Sequence, residues 1–502
     1  MKERRNRWLL LMTLFFLSAC GLLKKDTDSA VKKETISWTV MLHTDAPPSG
    51  AIEEELEKYT GVNLDFHWIP DSSKNERMSA AFASNSLTDI VTLASFKNSA
   101  IQSALSAGVF WDVEPYLAEY SNLAKLTSQQ LDRIRINGKV YGVPIQNHTA
   151  RYGVIVRKDW LETLGLEIPK TIAELAKVAQ AFTEEDPDGN GQKDTIGIVE
   201  RNESFRVGFR SLTGYFGAGN EFFISEDGTV QPTFMQEEYK TALKWYREMY
   251  QNGWMNQDFV VTSKEEQREM MLQGKGGIMI TSLQDVRYFV DQDSDLVNEK
   301  GNQTWALVDD LTYGEVPRRI LSDTNGGLNG LLAIPKSNVP TETALRVVLQ
   351  FINDLMDEEP FTLMTQGIEG VHYVINEQQE YEKINQTKWQ EEVQPYAASR
   401  PSALVATFKS AETAINQANE KIAENEAYAI LDPTQTLNSA TYIAQWPDLM
   451  EDISRAYYEY MLGEKELAYF EQAVASFKAG PGQKVIEEFT QSYQERQQKK
   501  TP

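Results

Sequence analysis

The sequence predicts an α/β fold of two lobes, the second rich in helix. Three observations carry that reading. Between residues 36 and 94 the pattern runs strand, helix, strand, helix, strand, the order of a parallel α/β sheet. After about residue 165 helical periodicity dominates, broken only by short apolar runs. A chain of 502 residues is also long enough for two domains or more.

The elements follow in order. ISWTVML (36–42) has the β-branched and aromatic content of a strand. AIEEELEKYTG (51–61) is an amphipathic helix stopped by Gly61. VNLDFHWI (62–69) alternates like a strand, ERMSAAFASNS (76–86) is helical, and TDIVTLA (88–94) is a buried strand. NGKVYGVP (137–144) and YGVIVRKDWLETLG (152–165) continue the alternation. TIAELAKVAQAFTEE (171–185), EYKTALKWYREMYQNG (238–253) and KEEQREMMLQG (264–274) are helices, whereas GGIMI (276–280) and GLLAIP (330–335) are short buried strands. From about residue 340 the chain is mostly helical, and Gly480-Pro481-Gly482 punctuates it before a last helix. The expected division gives 35–150 plus about 321–390 to lobe 1, and 151–320 plus about 391–495 to lobe 2. There is no internal repeat.

The chain begins MKERRNRWLLLMTLFFLSAC. Basic residues precede an apolar run from Trp8 to Leu17, too short to span a bilayer comfortably and shaped like a secretory signal. Leu17-Ser18-Ala19-Cys20 resembles a bacterial lipobox. Residues 1–19 then form a signal peptide, Cys20 carries lipid, and residues 20–34 are a polar tether to the fold. Cys20 is the single cysteine, so the fold has no disulfide, thiolate metal cluster or thiol catalysis. The formal charge is −24. It falls to about −27 without residues 1–19, which carry Lys2, Arg4, Arg5 and Arg7 against Glu3. That excess argues against nucleic acid or an anionic lipid surface as partner.

DPDGNGQKD (186–194) places Asp186, Asp188 and Asn190 at positions 1, 3 and 5 of an EF-hand-like loop. Gly191 follows where the sharp turn needs a glycine. Gln192 offers its backbone carbonyl and Asp194 falls at position 9. Gly197 stands where an EF-hand has its bidentate Glu, so no helix–loop–helix sensor is expected. Asp, Gly and Asn favour solvated turns in any case, but the spacing points to a calcium ion held as a structural clip on the second lobe.

The lipobox, LEKYTGVNLDF (56–66), NSLTDIV (85–91), NGKVYGVP, YGVIVRKDWLETLGLEIPKTIAEL (152–175), the acidic loop, GKGGIMI (274–280), GLLAIPKSN (330–338) and GIEGVHY (367–373) together resemble the extracellular solute-binding proteins of carbohydrate ABC importers. GIEGVHY and the acidic loop are similar to the calcium-binding subgroup that includes LplA-like lipoproteins and alginate-binding proteins. The resemblance implies a type II periplasmic-binding-protein fold: two α/β lobes, crossed more than once by the chain, closing on a ligand in the cleft. Members of that subgroup often carry an acid after the position-9 residue. Here Thr195 stands there, with only a hydroxyl or carbonyl to offer.

A sugar shows C–H on its faces and O–H around its rim, so its site pairs flat aromatic faces with hydrogen-bonding side chains. Candidates lie beside strand ends, which face the cleft in open α/β sheets. His43 and Asp45 follow the first strand. Asn147 and Tyr152 flank the VYGVP crossover. Tyr215 and Phe216 sit in a glycine-containing loop. Ser282 follows GGIMI, and Asn325 precedes the return to lobe 1. Trp254 and Trp446 are stacking candidates. Trp38 and Trp68 read as core, and His372 as a feature of the fold.

An enzyme is the main rival class. Among 73 acidic residues, carboxylate pairs are inevitable and identify no glycosidase. There is no Gly-x-Ser-x-Gly elbow and no His-Glu-x-x-His helix, and the four histidines show no metal spacing. A surface adhesin or sensor subunit is the second rival. A dockerin needs two such acidic loops, and the chain has one. The expected protein is a monomeric lipoprotein on the outer face of a bacterial membrane, without catalysis of its own. It would capture an oligosaccharide and pass it to a permease pair.

Overall fold

The structure is a computed structural model. It describes residues 34–500 except 43, 45, 71–72, 94–98, 137, 147, 291–303, 325 and 402–407. The expectations for the signal peptide, Cys20, His43, Asp45, Asn147 and Asn325 lie outside the described residues.

Nine strands build the two main sheets: β1 (Thr35–Leu42), β2 (Asn63–Pro70), β3 (Ile90–Leu93), β4 (Gly142–Gln146), β5 (Tyr152–Arg157), β6 (Ile196–Ile198), β7 (Gly276–Ser282), β8 (Trp305–Val308) and β9 (Leu328–Ala333). The first sheet has the order β2-β1-β3-β9-β4 and the second β8-β5-β7-β6. The opening β1 pairs parallel with β2 and β3, as the alternating pattern predicts. The sheets as wholes are mixed, which corrects the expectation of a parallel sheet. β9 re-enters from the second lobe and runs antiparallel to both β3 and β4. β5 runs antiparallel to β7 and β8.

Local chemistry explains why these segments take these forms. Gly61 (φ 75°) and Gly165 (φ 67°) end their helices in the left-handed region, where a Cβ is costly. The helix Ile172–Glu184 starts with a capping box, Thr171 and Glu174 each binding the other's backbone N–H. Its Ile172, Leu175, Val178, Ala179 and Phe182 make one buried stripe. Every residue of β7 is buried, because helices cover both faces of the sheet. A Cβ on Gly277 would stand 2.7 Å from a ring carbon of Phe182 and of Trp160.

Each sheet has its own core. Trp38, Leu56, Phe110, Leu332 and Phe351 belong to the first. Trp160, Phe182, Phe209, Tyr246 and Tyr457 belong to the second. Val393 and Tyr396 pack in the first core, although the sequence division assigns them to lobe 2. The helix Thr413–Glu424 then packs Ala414, Ala418 and Ile422 against Ile155, Met279 and Leu307 of the second sheet. The chain therefore passes between lobes three times: from β4 to β5, from Leu321 to β9, and between residues 397 and 413. The helices Ala440–Met461, Leu467–Ala479 and Pro481–Lys500 complete lobe 2. Among the described residues no helix is long and apolar enough to cross a membrane.

A carboxyl is deeply buried inside lobe 2. Glu200, just beyond β6, is 1% exposed. It accepts from the Arg201 backbone N–H at 2.8 Å and from the Tyr246 hydroxyl. Ser204 beside it meets the Tyr457 hydroxyl at 2.7 Å, so the long helix Ala440–Met461 is tied to the same spot. Burial pushes the Glu200 carboxyl up to about 7.

Two outcomes are expected. Gly277→Ala forces Phe182 and Trp160 apart and costs about 1–3 kcal/mol in urea unfolding; an unchanged midpoint would show that the helices yield freely. Glu200 ionises in the unfolded chain from 4.5 upward but stays neutral in the fold to about 7. Its stabilising contribution is full below pH 4.5 and is lost as pH rises through 7, by roughly 3 kcal/mol. Glu200→Gln removes that part of the slope when unfolding is compared at pH 5 and pH 8; parallel slopes in both proteins would refute the assignment.

Candidate functional site

The lobes meet where β4 ends at Gln146 and β5 starts at Tyr152. A bare crossover would leave backbone carbonyls unpaired. Here the returning segment satisfies them. The Ser322 hydroxyl donates to the Thr149 carbonyl and the Thr324 hydroxyl to the His148 carbonyl, both at 2.5 Å. Asp323 accepts from Arg151 three times, from its backbone N–H at 3.0 Å and its guanidinium at 2.8 and 2.6 Å. A strand that follows the third passage joins them. Ile320–Leu321 pairs in parallel with Ala429–Ile430, and Ser322 donates its N–H to the Ile430 carbonyl at 2.9 Å. Asn220 bridges the same two carbonyls, of Ser322 at 2.8 Å and Ile430 at 2.9 Å.

Tyr152 and Ser282, both singled out in the sequence, stand opposite each other across the β5–β7 ladder at this end of the second sheet. The Ser282 hydroxyl is buried with no hydrogen-bond partner among the described residues. Burial raises the Tyr152 phenol pKa, and the charges of Asp323, Arg201, Asp285 and Arg151 all act on it. Just past β7, Asp285 accepts from the Thr281 hydroxyl at 2.5 Å and from Arg268 at 3.3 Å. The Arg268 guanidinium lies 3.6 Å over the Tyr288 ring, and Arg287 donates to the Tyr288 hydroxyl at 3.2 Å. Arg201 pairs with Glu203 at 2.9 Å. His148 is open to solvent on one side and crowded by protein on the others. That crowding, with Arg151 and Arg400, holds its pKa below the ordinary range. The sequence reading missed these arginines, which are scattered along the chain; only Arg287 lies in the run LQDVRY directly after β7.

Four aromatic candidates lie elsewhere. Tyr215 closes a helix, Gly208–Tyr215, that is buried on nearly every side, and Phe216 packs between Trp245 (5.9 Å) and Tyr313 (4.6 Å). Trp446 lies between Phe222 (5.0 Å) and Tyr442 (4.8 Å) among the C-terminal helices. Trp254 donates its indole N–H to Glu184 at 2.9 Å, bracing the end of a helix. His372 is a fold feature, as expected: its Nδ1 accepts from the Ile368 N–H at 3.0 Å and its Nε2 donates to Glu392 at 3.1 Å. A hollow of about 430 Å³ beside Thr39, His67, Trp68 and Arg77 opens in lobe 1, between β2 and the helix Lys74–Ser84, away from the crossovers.

The acidic loop follows the helix Ile172–Glu184. Gly189 (φ 71°) and Gly191 (φ 81°) take the left-handed turns that fold it back. Asp186 accepts from the backbone N–H of Asn190 at 3.0 Å and of Gly191 at 2.9 Å. The Asn190 side-chain amide donates to Asp188 at 2.8 Å and to Asp194 at 3.2 Å. Gln192 donates its backbone N–H to the Asn190 side-chain oxygen at 2.7 Å. Partial burial and the neighbouring Asp186 and Asp194 raise the Asp188 pKa. Thr195 stands apart from this ring. It is buried, and its hydroxyl donates to the Phe182 carbonyl at 2.7 Å. Among the described residues no group of three or more His, Cys, Asp or Glu side chains stands arranged to hold a metal ion. The donor chemistry of Asp186, Asp188, Asn190 and Asp194 nonetheless suits a hard cation, since their oxygens gather round one amide.

A family model described as bacterial extracellular solute-binding protein matches residues 43–353. The polygalacturonan/rhamnogalacturonan-binding protein YtcQ of Bacillus subtilis (strain 168) is 34% identical, over 98% of this chain and 99% of its own. Lipoprotein LipO of the same organism is 28% identical over 98% of each chain. Two solved structures share the fold at 17% identity. The FusA EF-hand mutant of S. pneumoniae with fructo-nystose has a TM-score of 0.64 over 93% of this chain and 100% of that one. Alginate-binding protein AlgQ2 without calcium ion has a TM-score of 0.66 over 92% and 98%. With its two mixed sheets, three crossovers and these likenesses over nearly the whole chain, the protein belongs to the bacterial extracellular solute-binding protein family.

Proposed function

We propose that this chain captures a pectic oligosaccharide, built largely of uronates, and hands it to a permease pair. It is a solute-binding protein of the carbohydrate ABC transporter kind. The observation that carries the ligand class is the cationic, hydroxyl-bearing frame at the crossovers, in a chain whose formal charge is −24. The name of YtcQ, whose identity extends over the whole chain, agrees with it.

Capture follows from the geometry. Tyr152 and Ser282 offer hydroxyls, and the arginines offer planar donors matched to carboxylates. A ligand touching both lobes stabilises their closed arrangement and shifts a pre-existing equilibrium. Of the carboxylates at the crossovers, Asp323 and Asp285 are each engaged by an arginine, and Glu426 accepts from the Thr149 hydroxyl at 3.3 Å. That leaves no support at this place for the acid–base pair of a glycosidase. Lipid on Cys20 would tether a monomer to the outer face of the membrane, in keeping with the name of LipO. A calcium ion held by Asp186, Asp188, Asn190 and Asp194, with the Gln192 carbonyl, would neutralise the crowded acids and fasten the loop.

Calorimetric titration of the mature protein with tetragalacturonate is expected to give saturable one-to-one binding without products. Hydrolysis, or indifference to every oligosaccharide tried, would overturn this function. For the loop, a chelator is expected to lower the melting temperature by several degrees, and Asp188→Ala to abolish the difference between calcium and chelator. Identical melting of the wild type in both would dispose of the calcium.

A further inference from the structure

Arg400 begins the third passage between lobes. Its backbone N–H donates to the Tyr396 carbonyl at 3.0 Å, and its guanidinium lies 4.3 Å over the Phe361 ring. Its Nε is buried with no hydrogen-bond partner among the described residues. Burial lowers its pKa to about 10, and no carboxylate among the described residues offsets it. Other arginines of the fold are treated differently: Arg151 has Asp323, Arg157 has Asp159, Arg268 has Asp285 and Arg318 has Asp309. Arg210 and Arg319 also lack a carboxylate among the described residues, but each gives its guanidinium to a backbone carbonyl, whereas that of Arg400 makes no hydrogen bond among the described residues, which costs stability. Its place is also informative. Arg400 and Arg151 both act on the charge of His148, in the first crossover, so the Arg400 guanidinium stands near that crossover.

We propose that Arg400 is a specificity-determining contact, and that the missing counter-ion is a carboxylate of the bound glycan. The proposal rests on the binding function above and assigns its selectivity to one residue. Phe361 holds the guanidinium plane by stacking, so its edge can meet a carboxylate through two parallel N–H···O bonds. An ester or a neutral sugar leaves the same charge buried and unpaired. Arg400 thus rejects neutral chains as well as attracting acidic ones.

The test compares tetragalacturonate with its fully methyl-esterified form by calorimetry, at low and high salt, for wild type, Arg400→Gln and Arg346→Gln. Arg346 controls for a simple loss of charge, since it pairs with Glu119 and Glu342 on an exposed face. Wild type and Arg346→Gln are expected to favour the acid about tenfold or more. Arg400→Gln should lose that preference, while the ligand-free variant melts at or above the wild-type temperature because an uncompensated buried charge is gone. A variant that keeps the preference would overturn the assignment. So would one that melts lower and binds both forms equally worse, the behaviour of a structural brace. Equal wild-type binding of acid and ester would overturn it while leaving sugar capture intact. Binding of no glycan at all would defeat both.

Discussion

The structure depends on the polar seam where the chain passes between its lobes. Two hydrophobic cores, each closed on its own sheet, would otherwise be joined only by loops. Ser322 and Thr324 give their hydroxyls to the carbonyls of Thr149 and His148, and Asp323 grips Arg151 by backbone and side chain together. These bonds fix neighbouring strands to one another without burying apolar surface across the gap. An apolar seam would resist opening in proportion to its area. A hydrogen-bonded one holds its register while the lobes swing about it, which is what hinge closure requires.

The same seam decides the local charge. The acids of this chain are spread over its surface and inside lobe 2. At the crossovers Asp323 and Asp285 are paired with Arg151 and Arg268, and aromatic rings stand against the guanidinium groups of Arg268, Arg287 and Arg400. Stacking on Tyr288 and Phe361 limits the freedom of these planes. Under the proposed function, a ligand carboxylate would meet donors that are already aimed and have little order left to lose. The negative surface beyond the site is solvated and screened within about 10 Å at ordinary salt, so it need not repel an acidic chain bound against the crossovers.

Local elements were legible in the sequence because their causes are local. Gly61 and Gly165 announce helix ends, and Thr171 with Glu174 announces a start. The direction of β9 was not legible, since a strand's pattern says nothing about the route by which the chain arrives. Tyr152 and Ser282 were singled out by their place at strand ends, and the structure sets them opposite each other beside the crossovers, whereas Tyr215 is buried in a helix and Phe216 and Trp446 pack against other rings. An aromatic beside a glycine looks the same whether its ring faces a cleft or fills a helix interface. The arginines were missed for a related reason. Whether Arg268 or Arg400 has an acid partner is a fact about three-dimensional neighbours, and 49 basic residues among 73 acidic ones hide it.

The acidic loop also gains its meaning from what surrounds it. Its first residue follows the helix Ile172–Glu184 directly, and the chain leaving it is sewn back to that helix: Thr195 donates to the Phe182 carbonyl and the Gly197 N–H donates to the Thr183 hydroxyl at 2.9 Å. Trp254 pins Glu184, the last residue of that helix. Both anchors lie in lobe 2, remote in sequence from every crossover, and no bond from the loop reaches lobe 1 among the described residues. A cation there acts on repulsion among Asp186, Asp188 and Asp194, and so on the packing of helix Ile172–Glu184 against β6. It has no lever on the hinge. Under the proposed function a ligand would reach both sides of the polar seam. Stability of lobe 2 and closure of the cleft would then be separable, a bound ion governing the first without setting the second.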